Sequence, residues 1–371
     1  MPRTSTNSLP VNATRHFARN TTVLRNGGDL QPGRCTLPRR RCRMPRETRG
    51  AHQLRHGNVH HHKALRWFGR LTVACQLPIV IPVNSIDDAA TGRRRVRGAG
   101  PLLSYEIVGP TLGVSPTPSL TLLCLHGNSS HGGVWRLVAQ ELREFRCVLL
   151  DLRGHGDSEH VSPPAYNPEH HAEDLAQVVP HFAPGRYAIL AHSAGALAAA
   201  RFMTSAQPPT AMPVAFVWVD LDPLVPRWQV DYFHQGVASV ARTFRAVDDG
   251  LRGFRRVYPN IPEDRLRSFV IEGLRQVDGG WHMKLDPGTY ATWEPGDLRP
   301  CLPRVTCPTL VLRGADSIVT SAEGVAALST GLPRCEVREI KGGSHMVLLE
   351  QPEEVARAIR RFLAANLPTV Q

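Results

Sequence analysis

The sequence predicts an α/β fold in which helices cover both faces of a mostly parallel central sheet. Short runs that are apolar on both faces alternate with longer segments of helical period, as expected for strands buried between helices. Several of these runs end directly in a polar or glycine-containing turn, as at His126-Gly127 and Asp151. The apolar fraction is 42% of 371 residues, which is enough to bury the core of one large α/β domain or of two domains.

The basic charge of the chain is concentrated in its N-terminal part. The formal net charge is +12, and residues 1–99 hold 19 Lys and Arg against 4 Asp and Glu. We expect residues 1–92 to be a basic, disordered extension, either a solvated tail or an over-extended reading frame. Nucleic-acid or anionic-surface binding, an organelle transit peptide and metal binding through histidines are the alternatives.

Neither a membrane span nor a metal site is expected. The apolar run 71–83 is interrupted by Gln76 and two prolines, and it is too short to cross a bilayer. The eight cysteines have no metal-ligand spacing, and Cys124 and Cys147 fall in predicted buried strands. We therefore expect reduced thiols, a cytoplasmic location, no metal and no cofactor. The sequence does not favour a nucleic-acid partner, and it leaves a homodimer open.

The predicted elements alternate from about residue 93 onwards. An edge strand is expected at 102–108. The other strands are expected at 120–125, 146–150, 187–190, 214–221, 309–312 and 337–340, and the helices at 134–143, 168–181, 195–205, 321–331 and 353–365. Ligands of such sheets bind beyond the carboxyl ends of the strands. Candidate functional residues are therefore sought there.

One turn between a strand and a helix has the clearest chemical pattern: Ala191-His192-Ser193-Ala194-Gly195. Small residues two before and two after the serine let the strand and the helix pass closely. The Ser193 hydroxyl is then exposed at a strained position. The N–H of Ala194 lies at the start of the helix, where it has no intrahelical partner and can donate to an anion. The turn therefore predicts a nucleophilic serine.

Further motifs surround this turn in the chain. His126-Gly127-Asn128 follows a strand, residues 151–158 read D-L-R-G-H-G-D-S, and Gly342-Gly343-Ser344-His345 comes after the serine. Over residues 100–365 the sequence resembles the α/β-hydrolase superfamily, in its capped branch with a serine nucleophile. The resemblance implies the α/β-hydrolase fold and the chain order of nucleophile, acid and histidine.

The resemblance implies a catalytic triad. Ser193 would be the nucleophile and His345 the base that takes its proton. We favour Asp316, on the loop after the strand at 309–312, as the acid that orients the imidazole. The family usually has two residues between the glycine and the acid, whereas only Ala315 stands there in this chain. Asp222, after an earlier strand, is the alternative.

Further site residues follow from the same resemblance. The backbone N–H groups of Asn128 and Ala194 would form the oxyanion hole. Trp135, His192 and Trp228 are candidates for the substrate pocket, and His192 is also expected to pack behind the turn. Three polar residues of the 151–158 motif are expected to fix the shape of their loop: Asp151, Arg153 and His155.

The sheet pattern is interrupted at 224–300 by a segment rich in aromatic residues. Helices are expected there at 230–249 and 262–277. In the family such an insertion forms a cap over the active site, between core segments that here would be 93–223 and 301–371. An aromatic cap implies a largely apolar pocket, and hence a substrate with a bulky apolar portion.

The sequence therefore predicts a serine hydrolase that acts through an acyl-enzyme on a small-molecule acyl substrate. The bond would be an ester, thioester, lactone or amide. A carbon–carbon bond hydrolase and a cofactor-free haloperoxidase of the same fold stay open, because pocket shape separates them. A ligand receptor with little turnover is the alternative outside catalysis.

Overall fold

The computed structural model of the protein describes residues 86–88, 93–110, 120–183, 185–206, 208–209 and 211–367. Apart from the strand at 86–88, the expected N-terminal extension of residues 1–92 lies outside this part of the chain. No helix in the described part is long and apolar enough to span a membrane.

A nine-stranded sheet forms the centre of the described fold, and a separate two-stranded hairpin lies in the 224–300 insertion. The order in the large sheet is β1-β2-β3-β5-β4-β6-β7-β10-β11. The first three strands are antiparallel to their neighbours, and the other six run parallel to one another. The strands are β1 Ile86–Asp88, β2 Arg93–Arg97, β3 Leu102–Val108, β4 Thr121–Leu125, β5 Arg146–Leu150, β6 Tyr187–His192, β7 Ala215–Val219, β8 Leu274–Val277, β9 Gly280–Met283, β10 Thr309–Gly314 and β11 Cys335–Ile340.

Helices pack on both faces of the sheet, so the predicted fold class is confirmed. The helices are α1 Arg136–Glu141, α2 Pro168–Phe182, α3 Ala194–Met203, α4 Arg227–Val240, α5 Val247–Val257, α6 Glu263–Glu272, α7 Gly288–Ala291, α8 Ala322–Gly331, α9 Val347–Glu350 and α10 Pro352–Asn366, with 3-10 turns at Gly132–Trp135 and Arg299–Arg304. Alternate residues of a strand point to opposite faces. In β6, Ile189 joins the core layer of α2, α3 and α8, whereas Leu190 joins the layer of α1 and α10.

The predicted and observed elements differ at three places. The strand at 102–108 is an interior strand, because β2 lies outside it; β2 has Val96 as its one fully buried residue and gives little apolar signal. The helix expected at 230–249 is two helices, with a break at 241–246. The helix expected at 262–277 ends at Glu272, and residues 274–277 form a hairpin strand. Gly279, at φ 83°, allows the tight turn that follows.

Candidate active site

Ser193 occupies a strained turn between β6 and α3. Its backbone has φ 54° and ψ −129°, which is an uncommon region for a residue with a side chain. The turn is crowded against the end of β4: a Cβ atom on Gly195 would lie 2.5 Å from the carbonyl oxygen of His126 and 3.0 Å from that of Leu125. Glycine at position 195 is therefore required, because the two backbones pass close to each other there.

We predict that Gly195→Ala destabilises the protein. Alanine ordinarily stabilises a helix relative to glycine by about 1 kcal/mol, but here the added methyl group meets backbone atoms that cannot turn away. We expect a net loss of about 1–3 kcal/mol, as for an overpacked core, measured as a lower urea midpoint. Gly185→Ala is the matched control, because a Cβ atom there would meet nothing within 4 Å. Equal midpoints for the two variants would contradict the crowding.

His345 is hydrogen-bonded to a carboxylate at the end of β7. Its Nδ1 lies 2.8 Å from Oδ2 of Asp220, which follows β7 directly and is fully buried. The same carboxylate accepts hydrogen bonds from the hydroxyl of Ser317 at 2.6 Å and from the N–H of Gly314 at 3.0 Å. Burial by itself raises the pKa of Asp220, but the contacts with His345 and Ser317 outweigh it and hold the pKa below its usual value. An ionised Asp220 can only accept, so His345 carries its proton on Nδ1 and leaves Nε2 free as a base.

The expected partner of His345 is thereby corrected from Asp316, or the alternative Asp222, to Asp220. Asp316 is exposed, and its N–H donates to the carbonyl of Gly343. The loop that was expected to supply the acid instead supplies hydrogen-bond donors to Asp220. Asp222, the alternative, also follows β7, but it lies two residues beyond Asp220. A signal was available in the sequence, because Asp220 is the first acidic residue after the buried strand.

The imidazole is held close to the serine turn by contacts from both sides. Nε2 of His192 lies 2.8 Å from the carbonyl oxygen of His345, and the two rings are 4.7 Å apart. The loop before His345 is anchored where the hydroxyl of Ser344 donates to the buried carboxylate of Glu350. These contacts bring a base next to the residue that precedes Ser193.

The loop after β4 lies directly against the serine. A Cβ atom on Gly127 would lie 3.1 Å from Oγ of Ser193. Among the described residues, the N–H groups of Asn128 and Ala194 have no hydrogen-bond partner. The loop is shaped by Asp151, which accepts the N–H of Gly132 at 2.7 Å. Two backbone donors next to a serine hydroxyl are the arrangement that stabilises an oxyanion in acyl transfer.

Comparison with known proteins supports the family resemblance that the sequence motifs indicate. The sequence model of the alpha/beta hydrolase family matches residues 122–358, more than half of the chain. The chain belongs to the α/β hydrolase family.

Relatives of this α/β hydrolase have been described as enzymes. The 2-(acetamidomethylene)succinate hydrolase of Mesorhizobium japonicum is 30% identical over 251 residues, which are 66% of this chain and 88% of that protein. A pimeloyl-[acyl-carrier protein] methyl ester esterase of Xanthomonas oryzae is 26% identical over 250 residues, 66% of this chain and 95% of that protein. A solved structure of E-2-(acetamidomethylene)succinate hydrolase matches with a TM-score of 0.63 and 27% identity, covering 76% of this chain and all of the other. This protein is accordingly a hydrolase.

The three predicted pocket residues of the hydrolase lie in different surroundings. Trp135 is fully buried in the core, and its indole N–H donates to the carbonyl of Leu125 at 2.9 Å. It is therefore a core residue, which corrects its assignment to the pocket wall. His192 is buried, and its ring lies 4.7 Å from that of His345. Trp228 lies on α4 with 54% of its surface exposed.

The loop 151–158 of the hydrolase is held by side chains of its own motif and by His126. Arg153 donates to both carboxylate oxygens of Asp174 on α2, at 2.6 and 2.8 Å. Nδ1 of His155 lies 2.9 Å from the carbonyl oxygen of Arg153. His126 accepts the N–H of Leu152 at 2.9 Å through Nε2. These contacts give the polar residues of the motif a role in loop shape.

A groove of about 610 Å³ lies between α8 and the two connections of the 224–300 insertion. Asp222 lines it, but Ser193 and His345 do not. The carboxylate of Asp222 accepts the N–H and the hydroxyl of Ser321 at the start of α8, at 3.0 and 2.8 Å. A Cβ atom on Gly324 would lie 1.6 Å from this carboxylate. Asp222 therefore holds Ser321, the residue that caps α8, and among the described residues it forms no hydrogen bond with His345.

Five histidines are buried in the part of the hydrolase that the structure describes. Burial lowers the pKa of His192 to about 3 and that of His155 to about 4. Burial also lowers the pKa of three others: His126, His131 and His171. These imidazoles stay neutral in the fold, while those of the unfolded chain take up protons near pH 6.5.

We predict that the hydrolase loses stability as the pH falls from about 6.5 towards 4, because below pH 6.5 the unfolded state binds more protons than the native state. Asp220 has a depressed pKa, so the stability that it contributes is lost only at lower pH. Measurements above pH 5 therefore report mainly the effect of the buried histidines. Urea midpoints at pH 7.5 and 5.2 measure the effect. His171→Gln, which removes one buried imidazole, is expected to reduce the slope. Midpoints that do not change between the two pH values would contradict the prediction.

Proposed function

We propose that this α/β hydrolase cleaves an ester, thioester or lactone bond of a small substrate with an apolar portion, through a triad of Ser193, His345 and Asp220 and an acyl-enzyme. The observation that supports the proposal best is the 2.8 Å contact between His345 Nδ1 and Asp220, beside the strained turn of Ser193. A serine hydroxyl is a poor nucleophile at neutral pH and needs such an oriented base.

In the acylation step, Nε2 of His345 takes the proton of the Ser193 hydroxyl while Oγ attacks the carbonyl carbon of the substrate. Asp220 holds the imidazole in the required tautomer and stabilises its positive charge. Asp220 is suited to this role because its own lowered pKa keeps it ionised. The bond from the carbonyl carbon to the leaving oxygen or sulfur then breaks, and the histidine gives its proton to that alkoxide or thiolate, which becomes the alcohol or thiol.

The N–H groups of Asn128 and Ala194 would hold the negative charge that develops on the carbonyl oxygen. Both are backbone groups on structured elements, so no reorganisation is needed when the charge appears. In the second step His345 activates a water molecule, which attacks the acyl carbon and releases the acid. Ser193 is thereby regenerated.

Residues 224–300 are proposed to form the cap over this site. The insertion contacts the loop after β4 through α6, α7 and the β8–β9 hairpin, and a cavity of about 20 Å³ lies between them. Apolar side chains dominate its lining: Phe254, Phe269, Val270, Leu274, Met283 and Leu285. Rings also cluster within the insertion, where Phe233 lies 4.9 Å from Tyr290 and 4.6 Å from Trp293. The cavity has room for about one water molecule and is not lined by Ser193 or His345, so an apolar substrate portion is proposed from the aromatic content of the insertion alone.

A substrate panel tests the proposed function. We expect turnover of p-nitrophenyl esters with a preference among acyl chains of two to about twelve carbons, and turnover of thioester and lactone analogues. The panel includes 2-(acetamidomethylene)succinate, after which a 30% identical relative is named. Folded enzyme that cleaves no ester, thioester or lactone, but cleaves a carbon–carbon bond or only binds ligand, would contradict the proposal. The cytoplasmic location and the absence of a cofactor stay predictions.

A further inference from the structure

The loop after β4 holds a second strained residue, Ser129, next to the proposed oxyanion donor. Its φ is 62°, which is uncommon for a residue other than glycine. Its N–H donates to the side-chain oxygen of Asn128 at 3.0 Å. Its hydroxyl shares a hydrogen bond of 2.6 Å with the hydroxyl of Tyr290, on α7 of the insertion. The strained conformation is thus held by a contact from outside the loop.

The side chain of Asn128 makes two hydrogen bonds and has one further polar neighbour. Its amide nitrogen donates to the carbonyl oxygen of Thr289 at 3.4 Å. Its Oδ1 accepts the N–H of Ser129 and lies 3.1 Å from Nε2 of His155. Two consecutive residues of α7, Thr289 and Tyr290, therefore contact two consecutive residues of the loop. The direction of the Asn128 backbone N–H depends on these contacts, because it belongs to the same short segment.

Tyr290 is well fixed on its own side of the contact. Its side chain is buried, and its ring packs edge-on against Phe233 at 4.9 Å. Burial raises the pKa of the Tyr290 hydroxyl to about 12, so the hydroxyl stays protonated at neutral pH. The α7 turn is tied internally where the Thr289 hydroxyl donates to the carbonyl of Asp286 at 2.7 Å. The fixed hydroxyl of Tyr290 thus contacts the loop after β4 at its strained residue, Ser129.

We infer that Tyr290 is a positioning residue for the oxyanion hole. It acts through the Ser129 hydroxyl to hold the Asn128 N–H in its productive direction, so that the hole is complete only when the insertion is in place on the loop. This inference rests on the proposed function. It goes further by assigning part of the transition-state stabilisation to the insertion, in addition to any role in substrate binding. A misplacement of about 1 Å in such a group can reduce a rate about 100-fold.

The test removes single hydroxyl groups from the full-length chain. Tyr290→Phe and Ser129→Ala are each expected to lower kcat for a p-nitrophenyl ester by about 10- to 100-fold, while KM changes less than about threefold. The double variant is expected to be no slower than either single variant, because both changes break the same hydrogen bond. Affinity for an alkyl boronic acid, which mimics the tetrahedral intermediate, is expected to fall in parallel with kcat.

Tyr232→Phe is the matched control. Tyr232 contacts the same Phe233 ring at 5.6 Å, but it is exposed, and its hydroxyl has no hydrogen-bond partner in the described part of the chain. Its kcat is expected to equal that of the wild type. If the wild type is active and both Tyr290→Phe and Ser129→Ala keep its kcat, the inference is wrong even if their melting temperatures fall. If Tyr290→Phe does not fold, Ser129→Ala decides alone. An inactive wild type with unlabelled Ser193 would instead contradict the proposed function.

Discussion

Ser193→Ala is expected to lower kcat/KM for a p-nitrophenyl ester by about 10⁴-fold or more. The variant lacks the nucleophile but keeps the backbone donors of Asn128 and Ala194, so the residual rate reflects charge stabilisation and binding alone. Stability is expected to stay close to that of the wild type, because alanine has the same Cβ atom at the same positive φ. Steady-state kinetics and urea unfolding of the same preparation separate the two effects.

Ser193→Gly is the companion variant, because it removes the hydroxyl and the strain together. Glycine adopts φ 54° without penalty, so this variant is expected to be inactive and about 1 kcal/mol more stable than the wild type. An active Ser193→Ala protein would exclude Ser193 as the nucleophile. A Ser193→Gly protein that is less stable than the wild type would exclude the proposed strain.

Asp220→Asn is expected to lower kcat/KM by about 10³- to 10⁴-fold. Asparagine fits the same space, but it cannot stabilise the imidazolium, and its amide group favours the wrong tautomer of His345. Asp316→Asn is the matched control and is expected to keep activity within about twofold, because Asp316 is exposed and has no side-chain contact with His345. Kinetics of both variants between pH 6 and 9 give the comparison.

Asp222→Asn separates the two roles that acids play at the end of β7. Its carboxylate caps α8 through Ser321, so a loss of about 1 kcal/mol in stability is expected with little change in kcat. If Asp316→Asn or Asp222→Asn lost the activity that Asp220→Asn kept, the assignment of Asp220 would be wrong.

The parts of the fold that sequence could predict are those governed by simple periodicity. Strands such as Arg146–Leu150 and Tyr187–His192 are buried on both faces, and the apolar runs at 147–150 and 187–191 identify them. The turn around Ser193 is also predictable, because only small residues there let the strand and the helix pass each other closely. Gly195 shows this need directly, since any side chain would meet the backbone of the β4 strand end.

The parts that sequence missed depend on three-dimensional placement. Asp220 follows β7 and Asp316 follows β10, so two parallel strands offer a carboxylate, and only their placement in three dimensions determines which one reaches the imidazole. Trp135 comes just after the loop that follows β4, yet the 3-10 turn there directs its ring into the core. The contact between Ser129 and Tyr290 joins residues 161 positions apart, and no local sequence pattern predicts it.

Labelling with a fluorophosphonate probe tests the central claim most directly, because the probe reacts with an activated serine without requiring the natural substrate. The wild type is expected to carry one adduct on the peptide of Ser193, detected by mass spectrometry. His345→Gln and Asp220→Asn are expected to label slowly or not at all, and Asp316→Asn at the wild-type rate. Folded wild-type protein without an adduct at Ser193, or labelling that depends on Asp316 and not on Asp220, would contradict the triad.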